Sequence, residues 1–201
     1  MSDPYVYEFS SVLKNVLDLQ NDEDLDAYEN TVVNLALLKL LKEDYQILHT
    51  NQLFDTHQSL FKDVYAWAGK PRTINIEKSE QILNGISVVY EDKASILSAI
   101  TNVHNQYFNK KWGTFSETSF VYEVTRYMSA LWQIHPFREG NTRTVTTYLY
   151  FFVQKYGYQL NEKLLKKHAS YVRNALVMAS LDEYSEYQYL ENILKDAIFG
   201  H

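Results

Sequence analysis

His135, Glu139 and Arg143 recur at intervals of four residues within the run His135-Pro136-Phe137-Arg138-Glu139-Gly140-Asn141-Thr142-Arg143-Thr144. An imidazole titrates near neutrality and can take a proton from a hydroxyl. A carboxylate suits Mg²⁺, an ion that shares its oxygen ligands with substrate phosphates. A guanidinium suits phosphate itself. Pro136 and Gly140 interrupt any continuous helix, so the run is expected to be a loop that ends on a helix N-terminus. Such a terminus presents unpaired N–H groups and the positive end of a dipole to an anion. A base, a metal carboxylate and an anion cradle in one loop point to chemistry on a nucleoside triphosphate. The spacing of His135 and Glu139 also suggests a helical metal pair. The intervening Pro and following Gly spoil that geometry, and no H-E-x-x-H is present, which argues against a zinc hydrolase.

Each residue has a plainer reading beside the chemical one. His135 could be a dipole partner at a helix C-terminus, Glu139 a solvated carboxylate, and Asn141, Thr142 and Thr144 simple helix caps. Phe137 is a core anchor under the loop in either case. Gly140 removes a Cβ where backbone must approach an anion. Arg143, in a first helical turn, opposes the dipole and needs an anionic partner, which a β- or γ-phosphate would supply.

The elements that hold this loop are expected to be helical. Six Gly and three Pro in 201 residues leave little material for turns. A short helix is expected over Ser10 to Leu19. The acidic run Asn21-Asp22-Glu23-Asp24 then caps a helix from Asp24 to Leu41, with Leu25, Tyr28, Val32, Leu35 and Leu38 on its apolar face. Asp55 and Gln58 form a capping-box pattern for a helix through Trp67, closed by Gly69 and Pro71. Helix resumes over Glu91 to Tyr107. Thr114 and Glu117 cap a further helix to Trp132, whose buried face carries Phe120, Val121, Val124, Tyr127, Met128 and Leu131. After the loop, Asn141 to Tyr156 repeats the pattern, and Gly157 is a good residue to end it. Two or three short helices follow from Asn161, the last over Tyr184 to Ile198. The helical period breaks over residues 72–90, where Thr73-Ile74-Asn75-Ile76 alternates and Ile82 to Val89 is β-branched around Asn84-Gly85. A small β-hairpin flap is expected there, leaning on the helical body; a free hairpin edge can also receive a peptide.

Composition sets the frame. With 46% hydrophobic residues the chain can bury one core, so a single domain over 1–201 is the expectation. The net charge of −6 without a basic block argues against a nucleic-acid surface. No cysteine is present, which excludes disulfides and cysteine zinc sites and fits a reducing cytoplasm. Met1-Ser2-Asp3-Pro4 shows no secretory pattern, and no apolar run is long enough for a membrane span. The 17 tyrosines read mostly as half-buried packing residues.

The loop resembles the signature of the Fic family, H-x-F-x-[DE]-G-N-x-R, at every fixed place: His135, Phe137, Glu139, Gly140, Asn141 and Arg143. Thr142 stands where Gly is usual, and Thr146 where many members carry a second Arg. The resemblance implies a mostly α Fic-type helical domain with the flap near 72–90. It implies a protein adenylyltransferase that moves AMP from ATP, with Mg²⁺, to a Ser, Thr or Tyr hydroxyl of a target protein. His135 is then the base, Glu139 the metal ligand, Gly140, Asn141 and Thr142 the anion cradle, and Arg143 a phosphate clamp. Thr73, Ile74, Asn75 and Ile76 belong to the target-binding flap, and Lys78 and Ser79 touch nucleotide. Doc-type relatives, which phosphorylate, carry Lys where this chain has Thr142, which disfavours a kinase. Some members carry an inhibitory motif, [ST]-x-x-x-E-[GN]. Tyr187-Gln188-Tyr189-Leu190-Glu191-Asn192 has its Glu and Asn, so Glu191 is an expected restraint acting through Arg143, with a solvated helix carboxylate as the alternative. AMP removal, another nucleotide donor, and a non-catalytic nucleotide-sensing interaction protein stay open as alternatives, as does a homo-oligomer.

Overall fold

The six apolar residues expected on one face between Thr114 and Trp132 are all buried, so the helix that carries them is the spine of the core. The computed structural model describes residues 3–43 and 45–200; Met1, Ser2, Asp44 and His201, which fall within the expected 1–201 domain, lie outside the described residues. In chain order the elements are α1 (Asp22–Leu40), α2 (Gln52–Phe61), β1 (Glu77–Ser79), β2 (Ser87–Val89), α3 (Ile96–Val103), α4 (Glu117–Ile134), α5 (Asn141–Gln154), α6 (Glu162–Lys167), α7 (Ala169–Met178) and α8 (Gln188–Phe199). The fold is mostly helical with one two-stranded antiparallel flap, as the sequence leads one to expect.

Helices α4 and α5 bracket the signature and are locked together inside the core. Tyr127 of α4 and Tyr148 of α5 share a hydroxyl hydrogen bond of 2.7 Å, and Thr50 adds a third buried hydroxyl 3.0 Å from Tyr127. This polar chain, continued by His104 Nδ1 3.0 Å from the Thr50 hydroxyl, satisfies its members and fixes the relative position of the helices. Trp112, fully buried, packs on Phe120 and Phe152 beside it and hands its indole N–H to the Tyr107 carbonyl.

Several local expectations are corrected. No helix forms over Ser10 to Leu19; Val6 and Leu13 make an isolated antiparallel bridge. The Asn15 side chain bonds the Leu13 and Leu19 carbonyls and the Leu19 N–H, a local competition that displaces helix. Helix α1 is capped by Asn21 as expected, but Leu35 and Leu38 are exposed; the buried stripe is Leu25, Glu29, Val33 and Leu40. Helix α2 starts at Gln52, leaving Asp55 and Gln58 inside it rather than at a cap. It stops at Phe61, not Trp67, because the Asp63 and Val64 carbonyls are taken by the Tyr28 hydroxyl and the Val16 N–H. Helix α3 is shorter than Glu91 to Tyr107, starting at Ile96 and running into a π-helical turn at His104–Phe108. Ser116, not Thr114, caps α4, accepting the Ser119 N–H.

The flap pairs Glu77 with Val89, Lys78 with Val88 and Ser79 with Ser87. Asn84 and Gly85 turn the chain with positive φ (53° and 86°). Thr73 to Ile76 lies outside the ladder because its polar groups are bound elsewhere: the Thr73 N–H to the Tyr5 hydroxyl, and the Asn75 side chain to Asp92 and the Lys93 N–H. One buried guanidinium ties this flap to the signature. Arg72 donates to the carbonyls of His135 (2.9 Å), Ile74 (2.6 Å) and Glu91, while its own N–H reaches the Pro136 carbonyl (2.8 Å). Replacing Arg72 by Met should lower unfolding free energy by about 3 kcal/mol, since buried carbonyls lose charged donors. Urea denaturation followed by circular dichroism measures it.

Candidate active site

Leu131, Trp132 and Ile134 bury the end of α4, and His135 terminates it in the left-handed region (φ 48°, ψ 58°). A non-glycine residue holds that conformation only when its surroundings impose it. Here Arg72 holds the His135 and Pro136 carbonyls, and the imidazole is stacked on the Tyr90 ring at 3.8 Å with the Trp132 ring edge-on. His135 is 1% exposed, yet it lines a cavity of about 300 Å³. Its Nδ1 lies 3.2 Å from the Trp132 carbonyl. A carbonyl only accepts, so that contact keeps the proton on Nδ1 and leaves the Nε2 lone pair free. Burial, reinforced by the Lys78 charge, drives the imidazole down to about 3, so it is neutral at physiological pH.

The rest of the loop is folded by its own side chains. Asn141 does not cap α5; its amide bonds the Phe137 carbonyl (2.8 Å) and accepts the Phe137 N–H (3.0 Å), closing the loop on itself. Thr142 accepts the Trp132 indole N–H, and Thr144 bonds back to the Gly140 carbonyl. The N-cap position falls to Gly140, which has no side chain to offer. Gly140, Asn141 and Thr142 therefore bring the uncapped helix terminus to the cavity wall. Gly140 is required twice over: its φ is 80°, and a Cβ there would stand 2.4 Å from the Phe61 ring.

Glu139 sits at the junction of this cavity and a second one of about 530 Å³, and Arg143 lines both. Burial would raise the Glu139 carboxyl, but Lys78 at 3.4 Å, the Gly140 N–H at 2.9 Å and Arg143 together hold it below the usual carboxylate range. Its backbone carbonyl receives the Nε2–H of His57, a fully buried residue whose Nδ1 accepts the Gly69 N–H. Burial pushes His57 down to about 3 as well, and its ring is stacked between Phe61 and Phe137. Sequence reasoning missed His57; the available signal was an imidazole on the apolar face of α2, between Leu53 and Leu60.

The expected flap and inhibitory residues divide. Lys78 lines the cavity, whereas the Ser79 hydroxyl is turned onto the Gly85 carbonyl within the flap. Thr73 and Asn75 are exposed on the approach to the flap, with Ile74 and Ile76 half-buried. Glu191 is not brought to Arg143: it is bound by Arg126 at 2.6 Å, whose guanidinium lies over the rings of Tyr122 and Tyr187. The carboxylate on Arg143 is Glu29 of α1, at 2.5 Å, and the Tyr65 hydroxyl donates to the same Glu29. Its sequence signal is the Glu29-Asn30 step, the same pair that stands at Glu191-Asn192.

Known proteins share this fold. The chain is 29% identical over 167 residues to a protein of Sinorhizobium fredii named probable protein adenylyltransferase y4lH, covering 83% of each. It is 25% identical to protein adenylyltransferase VbhT of Bartonella schoenbuchensis, over 91% of this chain and 36% of that one. Among solved structures, the N-terminal Fic domain of the Bep8 effector from a Bartonella species superposes with a TM-score of 0.81 at 21% identity, covering 96% of this chain and 93% of that one. BepC of Bartonella tribocorum, solved with bound AMPPNP, superposes at 0.77 and 18% identity, covering 96% and 95%. The model of the Fic/DOC family matches residues 47–153, which is more than half of the sequence and includes the flap and the whole signature loop. This chain belongs to the Fic/DOC family.

Proposed function

We propose that the protein transfers AMP from MgATP to a Ser, Thr or Tyr hydroxyl of a target protein. The observation that carries this is His135: a neutral imidazole with its proton fixed on Nδ1, lining the same cavity as a helix N-terminus and the cations Lys78 and Arg143. The target hydroxyl gives its proton to Nε2 as its oxygen forms a bond to the α-phosphorus. The bond from that phosphorus to the bridging oxygen breaks, and pyrophosphate leaves. The N-terminus of α5, Arg143 and Lys78 neutralise the charge that develops on the phosphates. Relatives named as adenylyltransferases, and family structures holding AMPPNP or ADP, support a nucleotide in this cavity.

Glu139 would hold Mg²⁺, which when bound neutralises phosphate oxygens. The Glu139 carboxyl, held below the usual carboxylate range and lining the cavity, offers the one carboxylate that Mg²⁺ needs when phosphates and waters complete its shell. The target segment is read as running along the free edge of the flap, approached over Thr73, Ile74, Asn75 and Ile76. Among the described residues no helix is long and apolar enough to cross a membrane, and a cytoplasmic setting, with its supply of ATP, fits the reaction.

Glu29 acts as the restraint that Glu191 was expected to be. A carboxylate on Arg143 occupies the guanidinium that a phosphate would need, so the donor must displace it.

Three outcomes follow. Label from α-phosphate-labelled ATP, but not γ-labelled ATP, should enter protein in a host lysate and be lost in His135→Ala; label from the γ-phosphate alone would instead mean phosphorylation. Glu29→Gln should raise labelling at limiting ATP several-fold while Glu191→Gln leaves it unchanged; equal rates in all three proteins would reject the restraint. His57 and His135, with folded values near 3 against 6.5 unperturbed, stay neutral in the fold and must charge in the unfolded chain. Their contribution to stability is complete above pH 6.5 and lost as pH falls toward 3. Two of the six imidazole signals should therefore not titrate between pH 8 and about pH 4.5 in NMR spectra, with melting temperature falling over the acid half of that range.

A further inference from the structure

Lys78, Arg143 and Arg173 all line the cavity that holds His135, and each is already paired with a carboxylate. Lys78 lies 3.4 Å from Glu139, Arg143 2.5 Å from Glu29, and Arg173 2.6 Å from Glu80. The first two belong to the flap and the signature. Arg173 belongs to α7, about 30 residues beyond the signature in sequence, and no part of the mechanism above uses it. We propose that Arg173 is a donor-binding residue: its guanidinium exchanges Glu80 for a phosphate of the nucleoside triphosphate. The proposal rests on the nucleotide-transfer reading of the cavity.

Ala169 and Ser170 lie four and three residues before Arg173 and line the same cavity, so this face of α7 carries small side chains followed by one long cation. Small residues leave room for a ligand to lie against the helix, and the guanidinium closes the far end of that face. The Arg173 side chain keeps 36% of its surface accessible, whereas the Glu80 carboxylate it pairs with is only 7% accessible. The buried partner is fixed and the cation sits at the cavity boundary, with N–H donors beyond the NH2 contact to Glu80. The positive charge of Arg173 is among the influences that hold the His135 imidazole neutral, which places it within electrostatic reach of the reacting centre. The signature helix itself offers Thr146 one turn after Arg143, so within the cavity it supplies a single guanidinium to a triphosphate of several charges. A second guanidinium supplied from α7 makes up the difference.

The competing account is a latch. Glu80 follows β1, so its pair with Arg173 also ties the flap to α7. The two accounts disagree about Glu80. A latch loses its grip when either partner is neutralised, so both substitutions would weaken donor binding alike. A donor-binding arginine is released for the phosphate when Glu80 is neutralised, so the substitutions act in opposite directions.

The test is calorimetric titration of MgATP into the full chain carrying His135→Ala, so that ATP is not consumed. Adding Arg173→Gln should weaken binding about tenfold, the loss of one charge-assisted contact, with part regained in Arg173→Lys. Adding Glu80→Gln should leave binding equal or tighter. Thermal melting of each variant confirms that the fold is retained. Equal weakening by Arg173→Gln and Glu80→Gln, or no change with Arg173→Gln, overturns the proposal while leaving the nucleotide reading intact. Failure of the His135→Ala parent to bind MgATP at all overturns that reading and the proposal with it.

Discussion

A buried guanidinium, Arg72, holds the flap and the signature loop in register. The signature loop leaves α4 through a left-handed histidine and a proline, a path with unpaired carbonyls in the interior. The flap leaves and rejoins the helical body at Ile74 and Glu91, again with carbonyls turned inward. Arg72 is the donor common to both. A buried carbonyl without a donor is costly, and a charged donor is the strongest available satisfaction. The position of the flap over the loop is thus set by hydrogen bonds within the protein, before any ligand contributes.

The second organising feature is charge balance. Among the described residues, every cation lining the cavity beside His135 has a carboxylate from a different element: Lys78 of β1 with Glu139 of the loop, Arg143 of α5 with Glu29 of α1, and Arg173 of α7 with Glu80 of the flap. These pairs fasten α1, the flap and α7 around the loop while keeping the cavity close to neutral. A polyphosphate entering such a space exchanges partners rather than filling a vacant positive site. Affinity for the donor is then a difference between two sets of ion pairs, and neutralising one carboxylate can strengthen binding.

The imidazole of His135 shows how burial fixes a protonation state. Stacking on Tyr90 and contact with Trp132 remove it from water, and desolvation keeps it neutral. The Trp132 carbonyl, one turn back on α4, fixes the proton on Nδ1. A neutral ring of fixed tautomer is the form able to accept a proton, and the helix end that presents it is held by the aromatic core of α4 and α5.

Much of this could be read in the sequence. The loop residues His135 to Thr144, the buried face of α4, the Asn84-Gly85 turn and the helical class all follow from short-range rules: glycine and proline punctuation, 3.6-residue periodicity and turn chemistry. Local rules misplaced the caps of α2 and α4 and the Ser10 to Leu19 segment, where nearby side chains or distant elements claimed the backbone groups first. Pairing across the chain was beyond them. Glu191 and Glu29 carry the same Glu-Asn step, and nothing in either segment says which one meets Arg143. The packing of α1 on α2 turns Glu29 into the interior and leaves Leu35 and Leu38 outside, while Arg126 and its two tyrosines keep Glu191 away. Sequence alone determined which groups this protein has available for chemistry and the local turns that present them. Tertiary structure decided which opposite charges meet, because an ion pair depends on distance in space and a local pattern carries no information about that distance.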